Sequence, residues 1–127
     1  MTAPVAPGAD AVTGATGDGA TSPAGPDRMF VVLVHYIRPF AEVEAHTAAH
    51  RAFLETLYAR GLLLGSGRRV PPVGGVILVR GGELAKVEAL FAADPFVVAG
   101  VAHYEFILFE PGASPRRSPE LDAFLKR

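Results

Sequence analysis

From Met29 onward, the hydrophobic residues fall into segments whose spacing alternates between that of strands and that of helices. Continuous β-prone runs predict four strands, and apolar residues three and four positions apart predict two helices between them. In chain order the predicted elements are strand Phe30–Ile37, helix Glu42–Arg60, strand Leu62–Gly67, strand Val76–Arg80, helix Glu83–Ala93 and strand Ala102–Glu110. Residues 29–112 therefore have the order βαββαβ.

Short motifs mark where these elements end. Gly61 closes the first predicted helix, as glycine often does just beyond a helix C-terminus. Asp94–Phe96 interrupts the chain after the second helix, because Pro95 disfavours helical geometry in the residue before it. Ser118–Glu120 has the form of an N-cap followed by proline at the first helical position. It predicts a short C-terminal helix that buries Leu121, Phe124 and Leu125.

The order of the elements predicts an α+β fold of the ferredoxin-like type. With right-handed crossovers, βαββαβ gives a four-stranded antiparallel sheet with both helices on one face. Two helices can cover one face of such a sheet and no more.

The first strand, however, is apolar on both sides. One side carries Phe30, Val32, Val34 and Tyr36, and the other carries Val31, Leu33, His35 and Ile37. A second apolar face needs a cover, and a second copy of the chain packed sheet to sheet supplies one with two-fold symmetry. The C-terminal segment is an alternative cover, but it is too short to bury much of that face. We therefore expect a homodimer.

The first 28 residues differ in composition from the rest of the chain. They consist mostly of Ala, Gly, Pro, Thr and Ser, and no large apolar residue stands between Val12 and Met29. Such a segment has no apolar face to bury, so we expect a disordered extension over residues 1–28. The predicted domain then spans residues 29–112, and residues 113–127 form a C-terminal extension with the short helix.

Composition narrows the classes of function. The 127 residues hold 12 Lys+Arg against 13 Asp+Glu, a net charge of −1, which argues against a nucleic-acid partner. Cysteine is absent, so disulfides, thiolate metal sites and cysteine nucleophiles are excluded. No apolar run is long enough for a membrane span, and the N-terminus lacks the pattern of a signal peptide. We expect a cytoplasmic protein without a membrane partner.

Two histidines on the first predicted helix are candidates for chemistry. His46 and His50 are four residues apart and so share a face, a spacing that can bind a metal if a third ligand joins them. That spacing is also common by chance. His50 lies within the apolar stripe of the helix, so its ring should face the sheet or a cleft. It is either a core histidine bonded to backbone or a group with tuned acid/base chemistry.

Asp94 and Ser66 are the other candidates. Asp94 follows the second predicted helix in a turn fixed by Pro95, where a carboxylate can cap backbone N–H groups. The same carboxylate could orient an imidazole and fix its tautomer. Ser66 has glycine on both sides at the end of the second strand, which would let a ligand approach the backbone closely or simply form a turn.

The chain resembles the YciI-like (YCII-related) family. The resemblance covers residues 29–112 and rests on an ordered set of weak motifs: Met29–Tyr36, His50–Leu54, Gly61, Gly65–Gly67, Gly74-Gly75, Asp94–Phe96 and Gly100. It implies a dimeric α/β-barrel fold, in agreement with the argument from the two-sided sheet. It also implies a His–Asp pair in a cleft, formed here by His50 and Asp94, with Ser66 and Arg51 as weaker candidates for catalysis and substrate binding.

Two functions follow as expectations. One branch of the YciI-like family removes chloride from a chlorinated hydroxyhydroquinone, so the resemblance implies acid/base chemistry on a small phenolic or enol substrate. His50 would be the base, Asp94 would orient it, and no organic cofactor or metal would be needed. The alternative is a non-catalytic homodimer that binds a small molecule or a partner protein, with His50 and Asp94 as buried polar struts.

Overall fold

The computed structural model describes residues 27–113 and 115–127. Its elements are β1 (Met29–Tyr36), α1 (Phe40–Glu44), α2 (Thr47–Ala59), β2 (Leu63–Arg68), β3 (Gly74–Arg80), α3 (Leu84–Phe91), α4 (Pro95–Val98), β4 (Ala102–Phe109) and α5 (Pro119–Leu125). The expected disordered extension lies outside the described residues, apart from Asp27 and Arg28. None of the helices described is long and apolar enough to cross a bilayer.

The four strands form one antiparallel sheet in the order β2-β3-β1-β4. β1 is central, and Leu33 pairs with Val76 of β3 on one side and with Glu105 of β4 on the other. The ferredoxin-like α+β fold expected from the order of the elements is therefore confirmed.

The main core lies between the sheet and helices α2 and α3. β1 contributes alternate residues, as a strand with one face turned to the core must, and α2 and α3 contribute residues from their apolar stripes. Its fully buried members include Phe30, Val32, Leu57, Ile77, Val79 and Phe91. We call this side of the sheet the helix side.

Several boundaries differ from those predicted, and two of the differences bear on the fold. The helix expected over Glu42–Arg60 is two helices, which meet at Ala45 and His46. Neither proline nor glycine stands there, so the sequence carries no local signal for the break. β3 begins at Gly74 rather than Val76, because Gly74 pairs with His35. A Cβ at Gly74 would come within 1.7 Å of the Val34 carbonyl oxygen, so the glycine permits this close pairing rather than ending it.

The opposite side of the sheet, which we call the outer face, is only partly covered. At one end Met29 and Leu78 pack against Phe124 and Leu125 of α5. Further along, Ile107 of β4 is exposed, and beyond it the face ends in polar residues. The C-terminal helix thus covers one end of this face, as the alternative to a dimer anticipated, and leaves the rest open.

Candidate active site

Asp94 begins α4 and is fully buried. Its side chain caps the helix, because the backbone N–H of Phe96 donates to Asp94 Oδ1 at 3.0 Å. Pro95 occupies the first helical position, where its missing N–H costs no hydrogen bond. The sequence left open whether this carboxylate is a cap or the partner of an imidazole, and in the structure it is both.

His50 projects from α2 onto this carboxylate. Its Nδ1 lies 2.9 Å from Asp94 Oδ1 and 3.0 Å from Oδ2. The side chain of His50 is 13% exposed, whereas that of Asp94 is 0% exposed. The imidazole also stacks on the ring of Phe96, with centroids 4.0 Å apart and planes 8° from parallel. The ring is therefore held at its Nδ1 edge and on one face.

Tyr104 is a third member of the site, and no sequence motif had indicated it. Its hydroxyl donates a hydrogen bond to Asp94 Oδ2. Burial raises the pKa of Tyr104 strongly, and the nearby charge of Asp94 raises it further. The phenol therefore stays neutral and keeps its proton for the carboxylate. Nothing in the sequence links Tyr104 to Asp94.

These hydrogen bonds determine which nitrogen of His50 is available. The Phe96 N–H and the Tyr104 hydroxyl are donors, so Asp94 accepts from both. A carboxylate that accepts throughout is also an acceptor for His50, which places the proton on Nδ1. Among the residues described, none forms a hydrogen bond with Nε2. The neutral imidazole therefore presents a free lone pair at Nε2, as a general base requires.

The structure does not bring Ser66 to this pair. Ser66 lies on β2, at the far edge of the sheet from β4, and its Oγ is 2.8 Å from the hydroxyl of Tyr58. Tyr58 is eight residues beyond His50 on α2, which corresponds to about 12 Å along the helix axis. Arg51 directly follows His50 and is exposed.

The alternative of a metal held by His46 and His50 is not supported by their positions. His46 is the N-cap residue of α2, with φ −112° and ψ 3°, so it precedes the helix that carries His50. Across residues 27–113 and 115–127, no group of three His, Cys, Asp or Glu side chains is arranged to hold a metal ion.

The His50–Asp94 pair is assembled within one chain. α2, α4 and β4 supply its members, and all three meet on the helix side of the sheet. A second copy packed on the outer face would lie on the opposite side. His50, Asp94 and Tyr104 all come from the same chain, so the pair itself needs no residue of a second copy.

A second histidine–carboxylate pair lies on the outer face. His35 Nε2 is 3.0 Å from Glu105 Oε1, and Arg69 donates to His35 Nδ1 at 3.1 Å. The ring of His103, opposite His35 in the register, stacks on it at 6.2 Å. Both histidines lie on strands, as the sequence predicts, but no motif indicates a role for either.

Comparison with known proteins adds a family and a fold. The family model of the YCII-related domain matches residues 29–110. Among solved structures, the chain is similar to 5-chloro-2-hydroxyhydroquinone dehydrochlorinase from Burkholderia phenoliruptrix AC1100, in complex with 2,5-dihydroxybenzoquinone. The TM-score is 0.55 at 20% identity, over 71% of this chain and 99% of the dehydrochlorinase. None of the curated proteins matches the chain. The match over residues 29–110 shows that the chain belongs to the YCII-related domain family.

Proposed function

We propose that the protein is an acid/base enzyme in which His50 is the general base and Asp94 orients it. One observation carries the proposal: Asp94 is fully buried and hydrogen-bonded to His50 Nδ1, the Phe96 N–H and the Tyr104 hydroxyl. A carboxylate so buried stabilises an imidazolium that forms beside it, and the fixed tautomer leaves the lone pair on Nε2. A structural cap would need only the bond to Phe96.

The reaction class is proton transfer to or from carbon or oxygen. Nε2 takes a proton from the substrate, and the electron pair of that bond forms a new double bond. In an elimination, a leaving group such as chloride departs with its own bonding pair, while in an isomerisation the imidazolium returns the proton elsewhere. Neither course changes the oxidation state of the protein or needs an organic cofactor or metal.

A small phenolic or enol substrate fits this proposal. Such substrates carry O–H protons, or C–H protons beside a carbonyl, of the acidity that an imidazole can remove. The two helices that contact α2 carry exposed apolar side chains, Phe40 on α1 and Val98 on α4. These side chains would suit a flat ring. The structurally similar dehydrochlorinase acts on 5-chloro-2-hydroxyhydroquinone and was solved with a quinone.

Arg51 is proposed to bind the substrate, because it is exposed and adjoins His50, and a guanidinium can hold a phenolate oxygen. Ser66 would contact the same substrate only if that substrate extended along α2 toward Tyr58. The rest of the proposal is a cytoplasmic homodimer, in which the open part of the outer face packs against a second copy.

The test compares His50→Gln with His35→Gln as a matched control. Both variants remove one imidazole from a histidine–carboxylate pair, but on opposite sides of the sheet. With 5-chloro-2-hydroxyhydroquinone, chloride release by His50→Gln should fall about 10²–10⁴-fold, while His35→Gln keeps the wild-type rate. Circular dichroism should show both variants folded.

Two outcomes would contradict the proposal. Equal rates in His50→Gln and the wild type would exclude His50 as the base. If no chlorinated phenol turns over, but 2,5-dihydroxybenzoquinone binds equally to wild type and His50→Gln, the non-catalytic binding module is favoured. In that case His50→Gln should lower the free energy of unfolding without changing affinity.

A further inference from the structure

We propose that Tyr104 is a positioning residue for the His50–Asp94 pair. Its hydroxyl holds the carboxylate in one orientation and limits how strongly that carboxylate attracts a proton to His50. This inference deepens the proposed function, since it names the group that tunes the base. It does not require Tyr104 to touch the substrate.

The two carboxylate oxygens of Asp94 accept from different donors. The Phe96 N–H bonds to Oδ1 and the Tyr104 hydroxyl bonds to Oδ2. With one donor fixed on each oxygen, rotation of the carboxylate would break both bonds. His50 Nδ1 then meets the two oxygens at nearly equal distances of 2.9 Å and 3.0 Å.

Tyr104 is itself held in place. Its ring packs against Phe91 of α3, with centroids 5.8 Å apart, and against Phe106 of the same strand at 6.4 Å. Val34 lies opposite it in the register of β1 and is buried. The hydroxyl therefore reaches Asp94 from a rigid sheet rather than from a loop, so the donor is preorganised.

The hydrogen bond from Tyr104 also changes the charge that Asp94 presents to His50. A carboxylate that accepts a hydrogen bond from a neutral phenol spreads part of its negative charge into that bond. Without this donor, the full charge of Asp94 would act on the Nδ1–H of His50. Tyr104 thus weakens the hydrogen bond between His50 and Asp94. Burial and the charge of Asp94 both raise the pKa of Tyr104, so it remains the donor at every working pH.

Tyr36 provides a matched control. Tyr36 also lies on the helix side. It is near enough to Tyr104 that a charge on its own hydroxyl raises the pKa of Tyr104. It contacts the edge of Phe96, at a centroid distance of 6.0 Å, but no hydrogen bond joins it to Asp94 in the described part of the chain. Removing its hydroxyl changes the same neighbourhood without removing a donor from the carboxylate.

The experiment records the Nδ1–H NMR signal of His50 in the wild type, Tyr104→Phe and Tyr36→Phe. In Tyr104→Phe the Asp94 carboxylate keeps more of its charge, so the His50 Nδ1–H signal should move downfield, while Tyr36→Phe leaves it in place. If turnover is found, the pH profile of kcat should shift in Tyr104→Phe with KM nearly unchanged. An unchanged His50 Nδ1–H signal in folded Tyr104→Phe would overturn the inference.

A second measurement uses the unaltered protein and does not depend on the variant folding. A hydroxyl proton bonded to a buried carboxylate exchanges slowly, so Tyr104 should give an observable O–H resonance with a contact to the His50 ring. Its absence would also overturn the inference. Failure of the proposed function is a separate result: a shifted His50 Nδ1–H signal together with no turnover of any phenol would leave Tyr104 as the positioning residue of a binding site.

Discussion

The protein contains two histidine–carboxylate pairs with almost the same separation and different surroundings. His50 and Asp94 are 2.9 Å apart, and His35 and Glu105 are 3.0 Å apart. Asp94 is wholly buried and accepts two further hydrogen bonds, whereas Glu105 is 40% exposed. The two imidazoles also differ, because Arg69 occupies the second nitrogen of His35, while no described residue bonds to Nε2 of His50.

The hydrogen-bond partners of the two imidazoles distinguish the pairs, although the histidine–carboxylate distances do not. Arg69 is always a donor, so His35 Nδ1 must accept and its proton lies on Nε2, toward Glu105. Both nitrogens of His35 are then engaged, and the ring links a cation to an anion. His50 has one nitrogen held and one free, beside a carboxylate shielded from water. Only the second arrangement suits a base, which is why the proposed function assigns that role to His50 and not to His35.

The largest expected difference is in stability when each carboxylate is removed. Asp94→Ala leaves the Phe96 N–H, the Tyr104 hydroxyl and the His50 ring without an acceptor in a buried site, and should cost about 3–5 kcal/mol. Glu105→Ala removes an exposed partner, and water can replace it, so the cost should be about 1 kcal/mol or less.

Urea denaturation of the two variants measures both free energies. Equal losses would mean that Asp94 is no better integrated than a surface carboxylate, and the distinction between the two pairs would disappear. Phe96→Leu is a useful reference for Asp94→Ala, because it removes the stacked ring while leaving the backbone cap of α4 intact.

A smaller effect is expected at alkaline pH. The pKa of Tyr104 is raised above its ordinary value of 10.0 by burial and by Asp94. Its contribution to stability is therefore complete below pH 10 and is lost as the pH rises further. The reason is that Tyr104 then ionises in the unfolded chain but not in the folded protein. The wild type should lose up to about 1.4 kcal/mol per pH unit above that point relative to Tyr104→Phe. Tyr36→Phe should resemble the wild type more closely than Tyr104→Phe does. The same denaturation series, run between about pH 9 and pH 11.5, measures the free energy of unfolding of all three proteins.

The fold could be predicted from the sequence because its determinants are local. Three local signals each mark an element: the continuous β-prone run of β1, the helical stripe that includes Leu54 and Leu57, and Gly61 at the end of α2. The break at His46 could not be predicted, because it has no proline or glycine. The early start of β3 was missed because Gly74 resembles a turn residue, and its role depends on the neighbouring strand.

Only part of the candidate site could be predicted from the sequence in the same way. His50 and Asp94 came from motifs, and the structure brings them together although they are 44 positions apart in sequence. Tyr104 was missed because its contact depends on where α4 sets Asp94 against β4, which no spacing encodes. The pair formed by His35 and Glu105 depends likewise on the register between β1 and β4.

The smallest expected effect concerns the exposed pair and its response to salt. A double-mutant cycle of His35→Gln and Glu105→Gln should give a coupling energy of about 0.5 kcal/mol or less, because both side chains are more than one-third exposed to water. In about 1 M NaCl, where the screening length is about 3 Å, that coupling should vanish. The cycle of His50→Gln and Asp94→Asn should keep most of its coupling under the same conditions, since salt does not reach a buried carboxylate. A salt-resistant coupling between His35 and Glu105 would instead show that this pair is shielded in solution, as it would be if a second copy covered the outer face.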